Sequence, residues 1–179
     1  MQTELTEKLP AGIKFTALHT NHDHRGWLTE IYRDEWQQEF NPIQWNVTYA
    51  HAGVLRGVHF HVDRADYIFI ASGKIHVGLC DLRLHSPTRK QGYIVPMDAI
   101  HPHIMIIPVG IAHGIWFEKD SIIMYGLDNY WNPQHDFSCI WNDPELNIPW
   151  PTQSAILSER DASAPSYDEF MKNITRHVL

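Results

Sequence analysis

The chain has 179 residues, 44% hydrophobic and 20% charged, the profile of a soluble globular protein that fits a single domain over 1–179. A formal charge of −7 argues against a nucleic-acid binder, which presents a basic face. Two cysteines, Cys80 and Cys139, are too few and too far apart for a disulfide framework or a zinc knuckle, and both are expected as buried thiols.

Taken in chain order, the N-terminal MQTELTEKLPAG carries acidic residues and no apolar core, so it does not read as a signal peptide. No later apolar run is long enough to cross a membrane. A cytoplasmic protein follows, in which the sequons at Asn46 and Asn173 are chance matches. DEWQQEF (34–40) suits a short helical turn. QWNVTY (44–49) alternates polar and apolar residues, and DYIFIAS (66–72) is aromatic and β-branched, so both predict strands. A turn at Ser72-Gly73-Lys74 leads into IHVGLCDLR (75–83), where Ile75, Val77 and Leu79 share one face. HIMIIP (103–108) and SIIMYGL (121–127) predict buried strands. WNDPELNIPWP (141–151) predicts a rigid loop packed on the body of the fold. Helix is expected near the C-terminus, where Ser166 and Glu169 have capping-box spacing and Phe170 and Ile174 share a face. Many short strands with Gly and Pro punctuation indicate an all-β sandwich or barrel with short peripheral helices.

Thirteen histidines are many for this length. His59 and His61 stand one residue apart, and on a strand such residues point to the same face. From Gly53 the spacing runs through His59, His61 and Asp66 to Gly73, and Pro108-Val109-Gly110 precedes His113. This pattern resembles the two-part signature of cupins, which are small double-sheet jelly rolls. Asp66 stands where that signature has glutamate and is one methylene shorter. Two readings follow. His59, His61, Asp66 and His113 hold a divalent transition metal in an N/O site, or the turns are cupin-like and no metal is bound.

A wider set of motifs runs from about residue 20 to residue 161: HDHRGWLTEIYR (22–33), QWN (44–46), GVLRGVHF (53–60), GLCDLRLHSPT (78–88), IPVGIAHG (107–114), WNDPELNIPWP (141–151) and LSERD (157–161). In this order they resemble the dTDP-4-dehydrorhamnose 3,5-epimerase family of nucleotide-sugar enzymes. The resemblance implies a cupin-type jelly roll and a cofactor-free isomerase. It implies a nucleotide-diphosphate 4-keto-6-deoxy sugar as substrate and a homodimer joined through exposed N-terminal strands. The ketone acidifies the protons on its flanking carbons, so catalysis needs a base, an acid and a partner for the enolate oxygen. By resemblance His59 is the base, Asp161 its carboxylate partner and Tyr125 the acid. His113 belongs to the cleft, as do Glu30, Gln44 and Asn46. Arg25 and Arg56 line the nucleotide-sugar site, and Arg64 is a further guanidinium suited to an anionic substrate. Arg160 replaces the usual lysine beside the dyad carboxylate.

Three positions depart from the family pattern. Asp66 occupies the place of a lysine that would stabilise the enolate oxygen. His61 replaces a glutamine, and Trp131 stands where a substrate-side tyrosine is usual. Three explanations follow: another group, such as His61 as imidazolium, supplies the charge; a metal acts as the Lewis acid; or the chain performs a related reaction such as ketoisomerisation. A non-catalytic sugar-binding cupin would keep the arginines but need no dyad.

Overall fold

In the computed structural model, which describes residues 9–36 and 40–178 and side chains as far as residue 174, two five-stranded antiparallel sheets face one another. In chain order the strands are β1 (Lys14–Ala17), β2 (Thr20–Asp23), β3 (Gly26–Thr29), β4 (Gln44–Ala50), β5 (Leu55–His61), β6 (Asp66–Ser72), β7 (Lys74–Asp81), β8 (Gly92–Asp98), β9 (His103–Ile107), β10 (Ile111–Phe117), β11 (Ser121–Leu127) and β12 (Asp136–Ser138). One sheet has the order β1-β9-β6-β11-β4 and the other β12-β5-β10-β7-β8, while β2 and β3 pair as a separate hairpin. Two helices follow, the short α1 (Glu159–Ala162) and the C-terminal α2 (Tyr167–Val178). This is the all-β cupin-type jelly roll expected, with its helices at the periphery.

Both faces of β5 and β6 are covered. On β6, Ile68 and Ile70 enter the core between the sheets, while Tyr67 and Phe69 pack outward against Phe40 and its neighbours. On β5, Val58 and Phe60 join the outer cluster under the C-terminal segment, where the Phe60 ring lies 5.8 Å from that of Phe170 on α2. A one-residue slip would exchange these faces, so outward Val58 and Phe60 fix His59 and His61 on the inner face. Gly57 lets β5 approach β10 closely. Its φ is +118°, and a Cβ there would lie 2.7 Å from the Gly114 Cα. Beside this contact, His59 stands opposite His113 in the strand pairing.

One expected element is shorter than predicted. The strand through IHVGLCDLR ends at Asp81, because the buried Asp81 carboxylate accepts hydrogen bonds from the Arg83 backbone and from Ser86 and Thr88, turning the chain. Within the turn expected over 34–40, a 3-10 turn spans Asp34–Trp36, and 37–39 lie outside the described residues. Most of MQTELTEKLPAG, residues 1–8, also lies outside them. The 141–151 loop packs as expected: Trp150 Nε1–H donates to the Trp141 carbonyl at 2.9 Å, and a 3-10 turn spans Pro144–Leu146. Cys80 and Cys139 are buried, and burial pushes both thiols up to about 12. Among the described residues no helix is long and apolar enough to cross a membrane.

Candidate active site

A cavity of about 630 Å³ lies between the sheets. Asn46, Ile68 and Tyr125 line it from one sheet, and Arg56, His59 and His113 from the other. Gln44, His61, Arg64, Asp66, Trp131, Asp136, Arg160 and Asp161 also border it.

His59 and Asp161 form a dyad at 2.8 Å between Nε2 and Oδ1. Ser158 caps α1 by accepting from the Asp161 backbone N–H, which fixes the carboxylate beside β5. Burial opposes ionisation of Asp161, but hydrogen bonds from His59, Ser158 and Gly57 outweigh it and lower its pKa. An ionised Asp161 requires Nε2–H on His59, which leaves a lone pair on Nδ1. Tyr125 stands on the opposite sheet. Burial, and then the Asp66 carboxylate, raise the pKa of its phenol, so it remains a proton donor at neutral pH.

A second group of buried polar side chains sits beside the dyad. Asp66 Oδ2 lies 3.0 Å from His113 Nε2 and 3.2 Å from His61 Nε2. His61 Nδ1 faces Asp136 Oδ1 at 3.2 Å, although neither atom is aligned for a hydrogen bond. Arg64 is buried next to them, with Nη2 3.2 Å from His61 Nε2 and Nε 3.7 Å from Asp66 Oδ1. Burial works against an imidazolium at His61, but the facing Asp66 and Asp136 carboxylates outweigh it and raise its pKa, with Arg64 opposing them. Burial likewise opposes ionisation of Asp66 and Asp136. The histidines beside them hold both pKa values well below the usual carboxylate range. The shorter Asp66 side chain therefore reaches both histidines. Of the four residues considered for a metal, His61, Asp66 and His113 converge, whereas His59 turns its Nε2 to Asp161.

Arg160 on α1 donates to Asp136 Oδ2 at 3.2 Å and to its backbone carbonyl at 3.1 Å. Trp131 Nε1–H donates to the same Oδ2 at 2.8 Å, and its backbone N–H to Gln44 Oε1 at 3.0 Å. Gln44 in turn donates to Asn46 at 3.3 Å. Asp136 thus joins Trp131, Arg160 and His61, yet no motif marked it. Only its pairing with His61 across β12 and β5 places it here. Arg64 was visible as an available guanidinium, but not as a member of this group. Two expected cleft residues stand elsewhere in the chain. Arg25, in the β2–β3 turn, has a 78% exposed side chain paired with Asp23. Glu30 pairs with Arg33 and borders a separate cavity of about 410 Å³. Neither lines the cavity that contains the dyad.

The family model described as dTDP-4-dehydrorhamnose 3,5-epimerase matches residues 9–169. A protein of Pseudomonas aeruginosa named dTDP-4-dehydrorhamnose 3,5-epimerase is 32% identical over 154 residues, which cover 81% of this chain and 85% of that relative. The crystal structure of an enzyme of the same name from Bacillus anthracis, with TDP and PPi bound, is similar at a TM-score of 0.80 and 35% identity, over 87% of this chain and 94% of the other. That of a 3'-monoepimerase from Streptomyces bikiniensis in complex with dTDP-quinovose is similar at a TM-score of 0.83 and 28% identity, over 95% and 89%.

Proposed function

The chain belongs to the dTDP-4-dehydrorhamnose 3,5-epimerase family, and we propose that it inverts a carbon beside the ketone of a dTDP-linked 4-keto-6-deoxy sugar by proton transfer through an enolate. The observation that carries this reading is the His59–Asp161 dyad facing Tyr125 across one cavity. His59 Nδ1 takes the proton from the carbon next to the ketone, and Asp161 stabilises the resulting imidazolium. Tyr125, from the opposite sheet, returns a proton to the other face of the same carbon. A base and an acid on opposite walls produce inversion, whereas one group acting alone returns the proton to the face it left.

Arg56 and Arg160 are the guanidiniums bordering the cavity that suit a diphosphate, since each can bind two oxygens at once. Positive charge for the enolate oxygen falls to the buried group around His61 and Arg64, where the family pattern has a lysine. The enzyme acts in the cytoplasm as a homodimer. In a dimer the exposed β2–β3 hairpin brings Arg25 to the cavity of the second copy, which accounts for its distance from the cavity of its own chain.

The test is incubation of the enzyme with a dTDP-4-keto-6-deoxy sugar in deuterium oxide, with C-3 and C-5 followed by NMR. Deuterium at either carbon with inversion upholds the reading, and the labelled carbon names the centre. Absence of label at both carbons overturns it.

A further inference from the structure

We propose that His61, Asp66 and His113 bind a divalent first-row transition metal ion, at a site separate from the His59–Asp161 dyad. The three residues come from β5, β6 and β10, so the two sheets close on the site from both sides. Each offers a ligand atom, and all three atoms lie within 4.8 Å of one another. Asp66 Oδ2 is 3.2 Å from His61 Nε2 and 3.0 Å from His113 Nε2. Ligands about 2.1 Å from a metal and at right angles to each other stand about 3.0 Å apart, so this spacing is that of neighbouring metal ligands.

The surroundings orient the donors. His113 Nδ1–H donates to the Ile111 carbonyl at 3.1 Å, which leaves a lone pair on Nε2. His61 Nδ1 faces the Asp136 carboxylate, and a carboxylate behind a histidine is a common support for a metal-binding imidazole. His61, Asp66 and His113 are each less than a tenth exposed, and Asp66 Oδ1 has no hydrogen-bond partner. Two carboxylates, Asp66 and Asp136, face two guanidiniums, Arg64 and Arg160, so these charges balance, and it is the spacing and burial of the three donors that suit an ion. Two imidazoles and a carboxylate suit manganese, iron, cobalt, nickel or zinc, with positions left open for water or a substrate oxygen. Arg64 Nη2, 3.2 Å from His61 Nε2, is the feature that opposes an ion. On metal entry this contact gives way, and Arg64 keeps Asp136, 3.6 Å from Nη2, as its partner. His59 lies outside this group of converging ligand atoms and pairs its Nε2 with Asp161 instead. Metal binding and proton transfer thus divide the two histidines between them.

The experiment uses untagged protein, stripped with a chelator and titrated with Co²⁺, Ni²⁺, Mn²⁺ or Zn²⁺ by calorimetry. Elemental mass spectrometry counts the bound ion, and visible absorption reads the Co²⁺ form. One ion per chain with a raised melting temperature is expected. The isosteric Asp66→Asn, whose fold is checked by circular dichroism, and His113→Ala should each weaken binding at least about tenfold to a hundredfold. His59→Ala should bind as the wild type does. No saturable binding of any of the four ions overturns the proposal. So does binding that survives both Asp66→Asn and His113→Ala, or that is lost with His59→Ala. Deuterium exchange by the stripped enzyme judges the epimerase reading separately: exchange in a protein that binds no metal retains that reading and removes this one.

Discussion

His59 and Tyr125 are assigned different halves of one proton transfer, and substitutions at the two should fail differently. His59→Ala removes the ring nitrogen that pairs with Asp161. Deuterium incorporation should fall by about 10² to 10⁴, the range typical of a lost general base. The side chain is about a quarter exposed, so the melting temperature should change little. Wild-type exchange by this variant would take His59 out of the mechanism. In Tyr125→Phe the base is intact and the opposite-face acid is gone. This variant should exchange solvent deuterium into the substrate with retention, while formation of inverted product falls by a similar factor. NMR separates the two outcomes by the configuration of the labelled carbon. Loss of exchange and inversion together would mean that Tyr125 serves the first proton transfer. The dyad partner, in contrast, was legible only through the resemblance of LSERD, since no spacing relates Asp161 to His59 across 102 positions of chain.

At the scale of elements, Asp81 shows how one buried carboxylate ends a strand. Burial opposes its ionisation, but Arg83, Ser86 and Thr88 donate to it and lower its pKa to about 2. An unfolded aspartate titrates near 3.9. As pH falls, the unfolded chain takes up the proton first, so stability is full above about pH 5 and is lost towards pH 2. The loss assigned to this carboxylate is about 2 to 3 kcal/mol. Urea unfolding between pH 5 and 2 should show it, and Asp81→Asn, already destabilised at pH 7, should have a flatter pH dependence. An unchanged slope would assign the acid sensitivity to other carboxylates. A second substitution, Phe170→Ala, removes the ring that α2 places against Phe60 and should cost about 3 to 5 kcal/mol in the same assay. These elements also explain what the chain reveals before folding. β6 and β11 match their predicted bounds because their apolar runs bury residues on both faces. β12 has three half-buried residues and the β2–β3 hairpin is mostly exposed, so neither carries an apolar period. The same reason hides Asp136: pairing across β12 and β5, not local sequence, brings it to His61.

The whole molecule leaves apolar surface that a second copy would cover. Trp45, Val47 and Tyr49 on the edge strand β4, and Ile122 beside it on β11, are 38 to 68% exposed. Trp27 and Leu28 on the hairpin are 54% and 60% exposed. An edge strand with a row of exposed apolar residues favours association. Arg25 stands at the tip of that hairpin, outside the cavity of its own chain. If it serves the cavity of the partner, each complete site combines the body of one chain with the hairpin of the other. Light scattering should then give roughly twice the 20.8 kDa of one chain, as a twofold dimer requires. Arg25→Ala should weaken substrate binding without altering the dyad, and His59→Ala should be inactive. In a mixed dimer of the two variants, one cavity carries both defects and the other is intact. Random exchange of subunits makes half of the dimers mixed, so an equal mixture should regain about a quarter of wild-type activity. If Arg25 served its own chain, every cavity in the mixture would carry one defect. Mixing would then give no more than the average of the two separate variants, and the hairpin would have no part in the partner's site.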